Sequence, residues 1–428
     1  MPMILGSFFQ QVYNMADSII VGQFVGSSAL AAVGACAALT NVFICVALGA
    51  GVGAGVLVSR YFGAKNYGKM KTIVSTSLIS FLILSVVLGV FGFCFSHFMM
   101  SGLQTPADIL EEAVLYLRVY FVGFPFLFMY NILSTMFTSI GESKIPLGLL
   151  IFSSILNIFM DLWMVAGLGL GVFGAALATL IAQGISAVFS FLIFLSRMRQ
   201  YKSSFSRFDR QELYSMLRIA VPSVLQQSTV SIGMMIVQAV VNPFGTQALA
   251  GYTATMRVEN VFSLIFVSIG NAVSPYVSQN LGAKKYQRIR KGVHSGTYMA
   301  LLTAVVISGV MVLFGRNILS LFVSGEPEQI RQVLDIAYKY LFIMAIFLWV
   351  LYLLYVYRSA IQGLGNTLIP LASGIAEFVM RVSVALLLPK LIGEDGIFYA
   401  EICAWTSAAV LLFISYMIII RKYKEYNC

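Results

Sequence analysis

The sequence predicts an all-α polytopic membrane protein with twelve transmembrane helices in two six-helix bundles, related by a pseudo-twofold axis along the membrane normal. Three observations predict this fold class. Of the 428 residues, 59% are hydrophobic and only 10% are charged, whereas a soluble domain carries roughly 25% charged residues. The apolar runs are long enough for helices to cross a bilayer core of about 30 Å. The chain also contains an internal repeat.

Twelve apolar runs are candidates for spanning helices. They are continuous and lack the ten-residue alternation of a membrane β-barrel, so helices are the structure that satisfies their backbone in hydrocarbon. The first run opens at Met1 with no cleavable signal and without the short leader that usually precedes a first span, which leaves open a start further upstream. The candidate helices lie at 3–24, 37–60, 72–100, 113–137, 146–166, 172–196, 219–242, 251–279, 292–316, 332–361, 367–390 and 396–420.

The basic residues predict the orientation. If the spans alternate, most Lys and Arg residues fall on one side, and the positive-inside rule places both termini in the cytoplasm. The formal net charge of +10 is therefore a topology signal, and nucleic-acid binding is not expected. The loops on this side hold Arg60, Lys65, Lys69, Lys71, Arg197, Arg199, Lys202, Arg207, Arg210, Arg218, Lys284, Lys285, Arg288, Arg290 and Lys291; the tail adds Arg421, Lys422 and Lys424, and the links after helices 4 and 10 add Lys144 and Arg358.

The internal repeat divides the chain into two halves. "VGSSALAAVGA" at 25–35 resembles "FGTQALAGYTA" at 244–254, and "FGAKNYGKMK" at 62–71 resembles "LGAKKYQRIR" at 281–290. Six spans separate the copies, so both halves enter the membrane in the same direction, with a site expected at their interface. The predicted domains are an N-terminal lobe at 1–200, a cytoplasmic linker at 201–218 and a C-terminal lobe at 219–428.

Polar residues inside the predicted spans indicate the function. Gln10, Asn14 and Asp17 share one face of helix 1, and Asn157 and Asp161 share one face of helix 5. A charged side chain in hydrocarbon costs about 3 kcal/mol even on insertion scales. Two neighbouring carboxylates repel each other, so they favour a bound proton or another cation. Oxygen donors would suit Na⁺ at Asp17 and Asp161, and the sequence does not choose between the two ions.

The chain offers weaker candidates elsewhere. Glu259 and Glu377 are acidic candidates in the second half, although Glu377 most simply pairs with Arg381 four residues later. Interhelical hydrogen bonding is a rival explanation for the polar residues of helices 5 and 6. Aromatic and methionine side chains suit a cavity for varied organic ligands, and lipid-facing filler is the alternative. Asn14, Met129 and Tyr130 are the cavity candidates, and Pro125 and Pro275 are hinge candidates or static bends.

Several stretches together resemble the multidrug and toxic compound extrusion (MATE) family, closest to its prokaryotic DinF-like branch. They are "PMILGSFFQQVYNMADSIIVGQFVGSSALAAVGA", the "GAKNYGK" loop with its "GAKKYQR" echo, and "LNIFMDLWM". The resemblance implies a secondary antiporter of the cytoplasmic membrane that exports organic, often cationic drugs or toxic compounds in exchange for H⁺ or Na⁺. It also implies a cation-coupling site at Asp17, Gln10, Asn157, Asp161 and Thr179.

The resemblance further implies a monomer in the lipid bilayer that binds small organic substrates, needs no cofactor and is not an enzyme. Other branches of the family use acidic residues of the second half, which keeps Glu259 and Glu377 as candidates. A lipid-linked oligosaccharide flippase of the same superfold is the alternative function, although such proteins carry more basic residues in the cavity. An intramembrane aspartyl protease lacks support because "NIFMD" has no Gly-x-Gly-Asp surroundings, and a channel lacks a filter-like loop.

Overall fold

A computed structural model describes residues 2–103, 105–323, 327–393 and 395–425, without the side chains of Asn14 and several other helical residues. Short helical segments at Leu162–Gly167 (π), Asn242–Phe244 (3₁₀) and Pro389–Ile392 accompany twelve long helices in this part of the chain. The long helices are α1 (Pro2–Phe24), α2 (Ser27–Gly63), α3 (Tyr67–Gly102), α4 (Ala107–Ser139), α5 (Lys144–Asp161), α6 (Gly171–Arg199), α7 (Arg210–Val241), α8 (Thr246–Gly282), α9 (Tyr286–Ser320), α10 (Pro327–Gly363), α11 (Leu368–Leu387) and α12 (Asp395–Glu425).

These helices have the length and the surface of membrane spans. Among the described residues, 11 helices meet the length and hydropathy of a span. The twelfth, α1, has 23 residues, which is about 35 Å of helix. Long apolar side chains lie on outer surfaces, such as Val305 at 67% and Leu313 at 77% exposure, and such surfaces match hydrocarbon better than water. The predicted all-α fold with twelve spanning helices is confirmed.

The helices extend beyond the apolar runs that predicted them. Helix α2 begins at Ser27 where the apolar run predicted residue 37, and α9 begins at Tyr286 where it predicted residue 292. The reason is that hydropathy marks only the roughly 20 residues needed in hydrocarbon. Helical hydrogen bonding continues into the polar surface region until a cap or a glycine ends it.

The chain forms two compact units, Met1–Val221 and Pro222–Cys428, called here the first and second unit. In the first unit, α4 packs against α2, α3 and α6. Edge-to-face rings fill that core, with centroids of Phe43 and Phe121 4.7 Å apart. In the second unit, α10 packs against α8, α9 and α12. Its core stacks Tyr340 on Phe398, with ring centroids 4.7 Å apart.

Backbone geometry confirms the internal repeat. Gly26 and Gly245, 219 residues apart, have φ of 116° and 99° and precede α2 and α8. Lys65 and Lys284, also 219 apart, both have φ of 56°, a conformation that non-glycine residues seldom adopt. Two later pairs are 224 residues apart: Gly141 with Gly365, at 88° and 84°, and Gly169 with Gly393, at 66° and 70°.

Both units contain a close crossing of two helices with a glycine at the contact. The glycine belongs to α2 in the first unit, whereas in the second unit it belongs to α10, the counterpart of α4. In the first unit, Gly55 of α2 faces Ser139 of α4, whose hydroxyl donates to the Gly55 carbonyl at 3.0 Å. The matching positions in the second unit are Ser274 of α8, 219 residues on, and Gly363 of α10, 224 residues on. A Cβ on Gly363 would lie 2.5 Å from the Ser274 carbonyl oxygen.

Gly363→Ala is expected to destabilise the second unit by about 1–3 kcal/mol, because the added methyl must push the α8 backbone away. Gly309→Ala is the matched control, since a Cβ at Gly309 meets no atom within 4 Å. There the better helix propensity of alanine should leave stability unchanged or raise it by up to about 1 kcal/mol. Thermal unfolding of the two purified variants measures the difference, and equal melting temperatures would contradict the close crossing.

Helix α7 begins at Arg210, earlier than the predicted residue 219. The Asp209 carboxylate accepts hydrogen bonds from the backbone N–H groups of Gln211 at 2.8 Å and Glu212 at 3.3 Å, which is how an N-cap aspartate starts a helix. Tyr61 of α2 then donates to the Glu212 carboxylate at 2.9 Å. The first turn of α7 is therefore fixed to the first unit.

The linker between α6 and α7, residues 200–209, is bound along α3 by hydroxyl groups. Thr72 and Thr76 accept from the backbone N–H groups of Ser206 at 3.1 Å and Asp209 at 3.0 Å. Ser75 donates to the carbonyl of Arg207 at 2.6 Å. These hydroxyls lie at i, i+3 and i+4, so one face of α3 holds the linker in place.

The double variant Thr72→Val, Thr76→Val should loosen this linker without changing side-chain shape. Each lost hydrogen bond costs about 1 kcal/mol, so the population of the open linker should rise at least about tenfold. Trypsin cleavage at Lys202 and Arg207 in the native protein measures this opening. Thr303→Val is the control, because the Thr303 hydroxyl donates only within its own helix, to Met299. Unchanged cleavage of the double variant would show that these bonds do not hold the linker.

Candidate functional site

Asp17 of α1 and Asp161 of α5 lie side by side within the first unit. Their carboxyl groups are close enough to share a hydrogen bond. Asp161 is fully buried, and Asp17 is partly buried. Helix α1 packs against α5 and α6, and this packing brings together two acids that are far apart in sequence. We call Asp17 and Asp161 the carboxyl pair.

Asn157 and Thr179 surround the carboxyl pair. Asn157 precedes Asp161 by one helical turn and is 1% exposed. With its amide turned so that both of its polar atoms find partners, it donates to Asp161 Oδ2 at 2.7 Å. Its carbonyl oxygen then accepts from the Thr179 hydroxyl of α6 at 3.2 Å. The structure therefore brings together four of the five residues of the predicted coupling site.

A π-helical turn, Leu162–Gly167, follows Asp161 directly. Such turns are uncommon and widen the helix, and they frequently occur at functional sites. Here the turn separates α5 from the glycine-rich link to α6, where Gly169 and Gly171 have φ of 66° and 59°. Asp161 thus lies at the junction between a regular helix and an irregular backbone segment.

Two tyrosines of this site were missed by the sequence reasoning. Tyr13 shares a hydrogen bond with Thr179 and lies near both carboxyl groups. Tyr13 stands four residues before Asp17 and therefore lies on the same face of α1. This helical spacing could have identified Tyr13 as a site residue. Tyr116 of α4 lies near Asp17 and Tyr13, and only tertiary packing brings it there. Tyr13, Asp17, Asn157, Asp161 and Thr179 form the first-unit cluster.

A small cavity borders the first-unit cluster at Thr179. Its volume is about 10 Å³, close to the space that one water molecule needs. Helices α4 and α6 line it with Tyr116, Tyr120, Gly123, Ala176, Thr179, Leu180 and Gln183. Thr179 and Gln183 therefore border the same small space.

The chemistry of the cluster is that of a reversible cation site. Oδ1 of Asp17 and Oδ1 of Asp161 are buried and have no hydrogen-bond partner among the described residues. Leaving such oxygens unpaired is costly, and two close carboxylates resist being ionised together. One proton held between the two carboxyl groups relieves their repulsion. Hydroxyl, amide and carboxylate oxygens are also the donors that a hard cation prefers.

The structure does not bring Gln10, Met129 or Tyr130 into contact with this cluster. Gln10 is exposed, and its seven-residue separation from Asp17 corresponds to about 10 Å along the helix. The side chain of Asn14 lies outside the described residues. Tyr130 donates to the Pro146 carbonyl at 3.3 Å, and neither it nor Met129 lines the cavity beside Thr179. Their roles stay predictions.

The proline hinges also stay predictions. Helix α4 continues through Pro125, and α8 continues through Pro275. In α4, the Pro125 ring lies near Gly89 of α3, where a Cβ would meet Pro125 Cδ at 3.7 Å. A Cβ there would also lie 2.8 Å from the Phe121 carbonyl oxygen, so the close approach of the α4 backbone, and not the proline ring, requires the glycine.

In the second unit, Glu377 lies in a buried ion-pair network. It pairs with Arg381 at 3.0 Å, as its i, i+4 spacing predicted, and also with Arg358 at 2.7 Å. The assignment of Arg358 to a cytoplasmic link is wrong: it lies inside α10 and is 5% exposed. A guanidinium in this place is tolerated because a carboxylate neutralises it. Glu259 is 8% exposed and lies near this network.

Comparisons with known proteins agree on one family. The MatE family model matches residues 2–163 and 222–387. The chain is 28% identical to the probable multidrug resistance protein YoeA of Bacillus subtilis strain 168, over 98% of this chain and 92% of the relative. It is 25% identical to the multidrug export protein MepA of Staphylococcus haemolyticus strain JCSC1435, over 97% and 91%. A crystal structure of MATE in the bent conformation has a TM-score of 0.92 at 23% identity, covering 100% of this chain and 95% of that one.

Proposed function

Because the chain belongs to the MatE family, it is a membrane transporter and not an enzyme, and we propose that it is a secondary antiporter. It exports small organic compounds, often cationic, in exchange for H⁺ or Na⁺. Multidrug export is the activity that the names of its relatives YoeA and MepA describe. This activity needs no cofactor, because the gradient of the coupling ion supplies the energy.

The carboxyl pair is the single observation that carries this proposal. Asp17 and Asp161 touch inside a membrane-embedded unit, and each has a buried oxygen that finds no hydrogen-bond partner in the described part of the chain. Charged groups within spanning helices are costly and mark ion or proton pathways. A cation that binds the pair in one conformation more tightly than in another shifts the balance between the two. That differential binding is the requirement for coupling an ion gradient to export.

The rest of the first-unit cluster has supporting roles in this proposal. Asn157 donates to Asp161 and Thr179 donates to Asn157, so the two side chains fix the orientation of the Asp161 carboxylate. Tyr13 completes this chain of contacts through Thr179. Binding or release of the cation would affect α1, α5 and α6 at once, because each of these helices contributes a polar group to the first-unit cluster.

The proposal includes a topology and a transport cycle. The distribution of Lys and Arg supports a cell-membrane protein with both termini in the cytoplasm. An N-terminal lobe at 1–200 and a C-terminal lobe at 219–428, joined by the predicted cytoplasmic linker at 201–218, would alternate between outward-open and inward-open states. A monomer suffices for this cycle. The flippase alternative loses support because the buried guanidinium groups of Arg358 and Arg381 already bind carboxylates.

Transport into sealed vesicles tests the proposal and identifies the coupling ion. Purified protein in liposomes should accumulate a fluorescent organic cation when a proton gradient or a sodium gradient is imposed, and should not do so without a gradient. Uptake driven by only one gradient assigns the ion. Liposomes without protein are the control. If neither gradient drives uptake of any of several chemically different organic cations, the proposed antiport is wrong.

A further inference from the structure

Arg381 is the centre of a buried network that joins three helices of the second unit. Its Nε donates to Glu401 Oε1 at 3.0 Å, and one terminal nitrogen donates to Glu401 Oε2 at 2.8 Å. The same nitrogen donates to Glu377 Oε1 at 3.0 Å. Arg358 donates to the other oxygen of Glu377 at 2.7 Å. We call Arg358, Glu377, Arg381 and Glu401 the guanidinium cluster.

The guanidinium cluster is removed from solvent. Arg381 is 0% exposed, Glu401 1% and Glu377 3%. The two-pronged contact between Arg381 and Glu401 is the geometry in which a planar guanidinium binds a carboxylate best. Isolated charges in such a place would strongly destabilise the fold. The two glutamates, from α11 and α12, therefore form a binding site shaped for a planar cation.

The internal repeat locates this site relative to the first-unit cluster. Gly141 with Gly365 and Gly169 with Gly393 are 224 residues apart and share their backbone conformation. They bracket α5 and α11, so Arg381 stands at the position that Asn157 occupies in the first unit. The position of Asp161 is taken by the buried Ala385. The second unit thus has a guanidinium where the first has a neutral amide beside a carboxylate.

Helix α7 is adapted to this guanidinium. Gly233 lies 219 residues after Asn14, so a glycine replaces an asparagine at this position. A Cβ on Gly233 would come within 3.2 Å of an Arg381 terminal nitrogen. The missing side chain at Gly233 makes room for the large one at Arg381. The arginine of α11 and the glycine of α7 thus stand at positions where the first unit has two asparagines.

We propose that the second unit contains a cation site, built by Glu377 and Glu401, which the guanidinium of Arg381 occupies permanently. Glu259 lies close enough to interact electrostatically with Arg381, Glu377 and Glu401. With three glutamates and two arginines, the group has a formal charge of −1 when all are ionised. The site takes planar guanidinium compounds, and Arg381 is its resident ligand.

Chemical rescue of Arg381→Ala tests this proposal without a transport measurement. The variant should melt at a lower temperature than the wild type, and guanidinium chloride, far below denaturing concentrations, should raise its melting temperature. At a tenfold excess over the dissociation constant we expect a rise of about 3–6 °C. Sodium chloride at the same ionic strength should have less effect, because Na⁺ has no N–H groups to donate. The wild type should show no rise, because Arg381 already fills the site.

Two further variants complete the test. Arg316→Ala removes an exposed arginine that pairs with Asp335 in the same unit, and guanidinium should not stabilise it. If Arg381→Ala does not fold, Arg381→Ala combined with Glu401→Gln keeps the formal charge of the group at −1 and should fold. No rescue of Arg381→Ala, equal rescue of all variants, or failure of the charge-matched pair to fold would each overturn the proposal.

Discussion

Asp17→Asn is expected to reduce ion-driven uptake of organic cations to the level of protein-free liposomes. Asparagine has nearly the shape of aspartate but cannot release or bind a proton at this oxygen, and it brings no negative charge for Na⁺. The Asp161 carboxyl would then stand beside a permanently neutral group. Without a cation that binds one conformation preferentially, the gradient no longer biases the transport cycle. Uptake into vesicles under the imposed gradient measures this loss.

Asp108→Asn is the matched control for this loss of uptake. Asp108 is exposed in the first turn of α4, away from the carboxyl pair, and its replacement should leave uptake unchanged. Asp17→Asn should also elute as a single folded species and melt near the wild-type temperature, because burying a neutral amide costs less than burying a charge. If the folded variant takes up the organic cation at the wild-type rate, Asp17 does not have the proposed coupling role.

Arg381→Met is expected to lower the stability of the second unit by about 3–5 kcal/mol, because it leaves buried Glu377 and Glu401 without their shared partner. A unit of this size should lose about 2–4 °C in melting temperature per kcal/mol. Arg316→Met is the control: its ion pair with Asp335 is more than half exposed on both sides, and such pairs contribute less than about 1 kcal/mol.

A double-mutant cycle separates the ion pair from the lost packing of the arginine side chain. Arg381→Met combined with Glu401→Gln removes both partners, and the double variant should lose less stability than the two single losses together. Additive losses, or a melting temperature for Arg381→Met equal to that of Arg316→Met, would show that the guanidinium cluster contributes little to the fold.

The helices and the duplication follow from patterns within one sequence. Continuous hydropathy predicts the spanning helices, and helical spacing predicts that Asn157 and Asp161 share one face of α5. The partnership of Asp17 with Asp161 came from the family resemblance, since no local pattern specifies which helices meet. The start of α7 was predictable from its N-cap residue, Asp209. Hydropathy does not detect this start, because the apolar run begins several residues later.

The guanidinium cluster marks the limit of prediction from sequence. Glu377 and Arg381 are four residues apart, and their contact was predictable from spacing. Arg358 and Glu401 are 19 and 20 residues from their partners along the chain, so only the packing of α10 and α12 against α11 brings them in. A glutamate within the apolar run of α12 was a signal in itself, because an isolated buried charge requires a partner.

The crossing of Gly55 with Ser139, and of Ser274 with Gly363, limits how the halves can be recombined. A chimaera that replaces α2 by α8 alone would set two serines against each other where the backbones nearly touch, and the reverse exchange would set two glycines there and leave a void. Grafts between the halves should therefore carry both helices of the crossing together. Single helices of the two halves are therefore not interchangeable, although each half is consistent within itself.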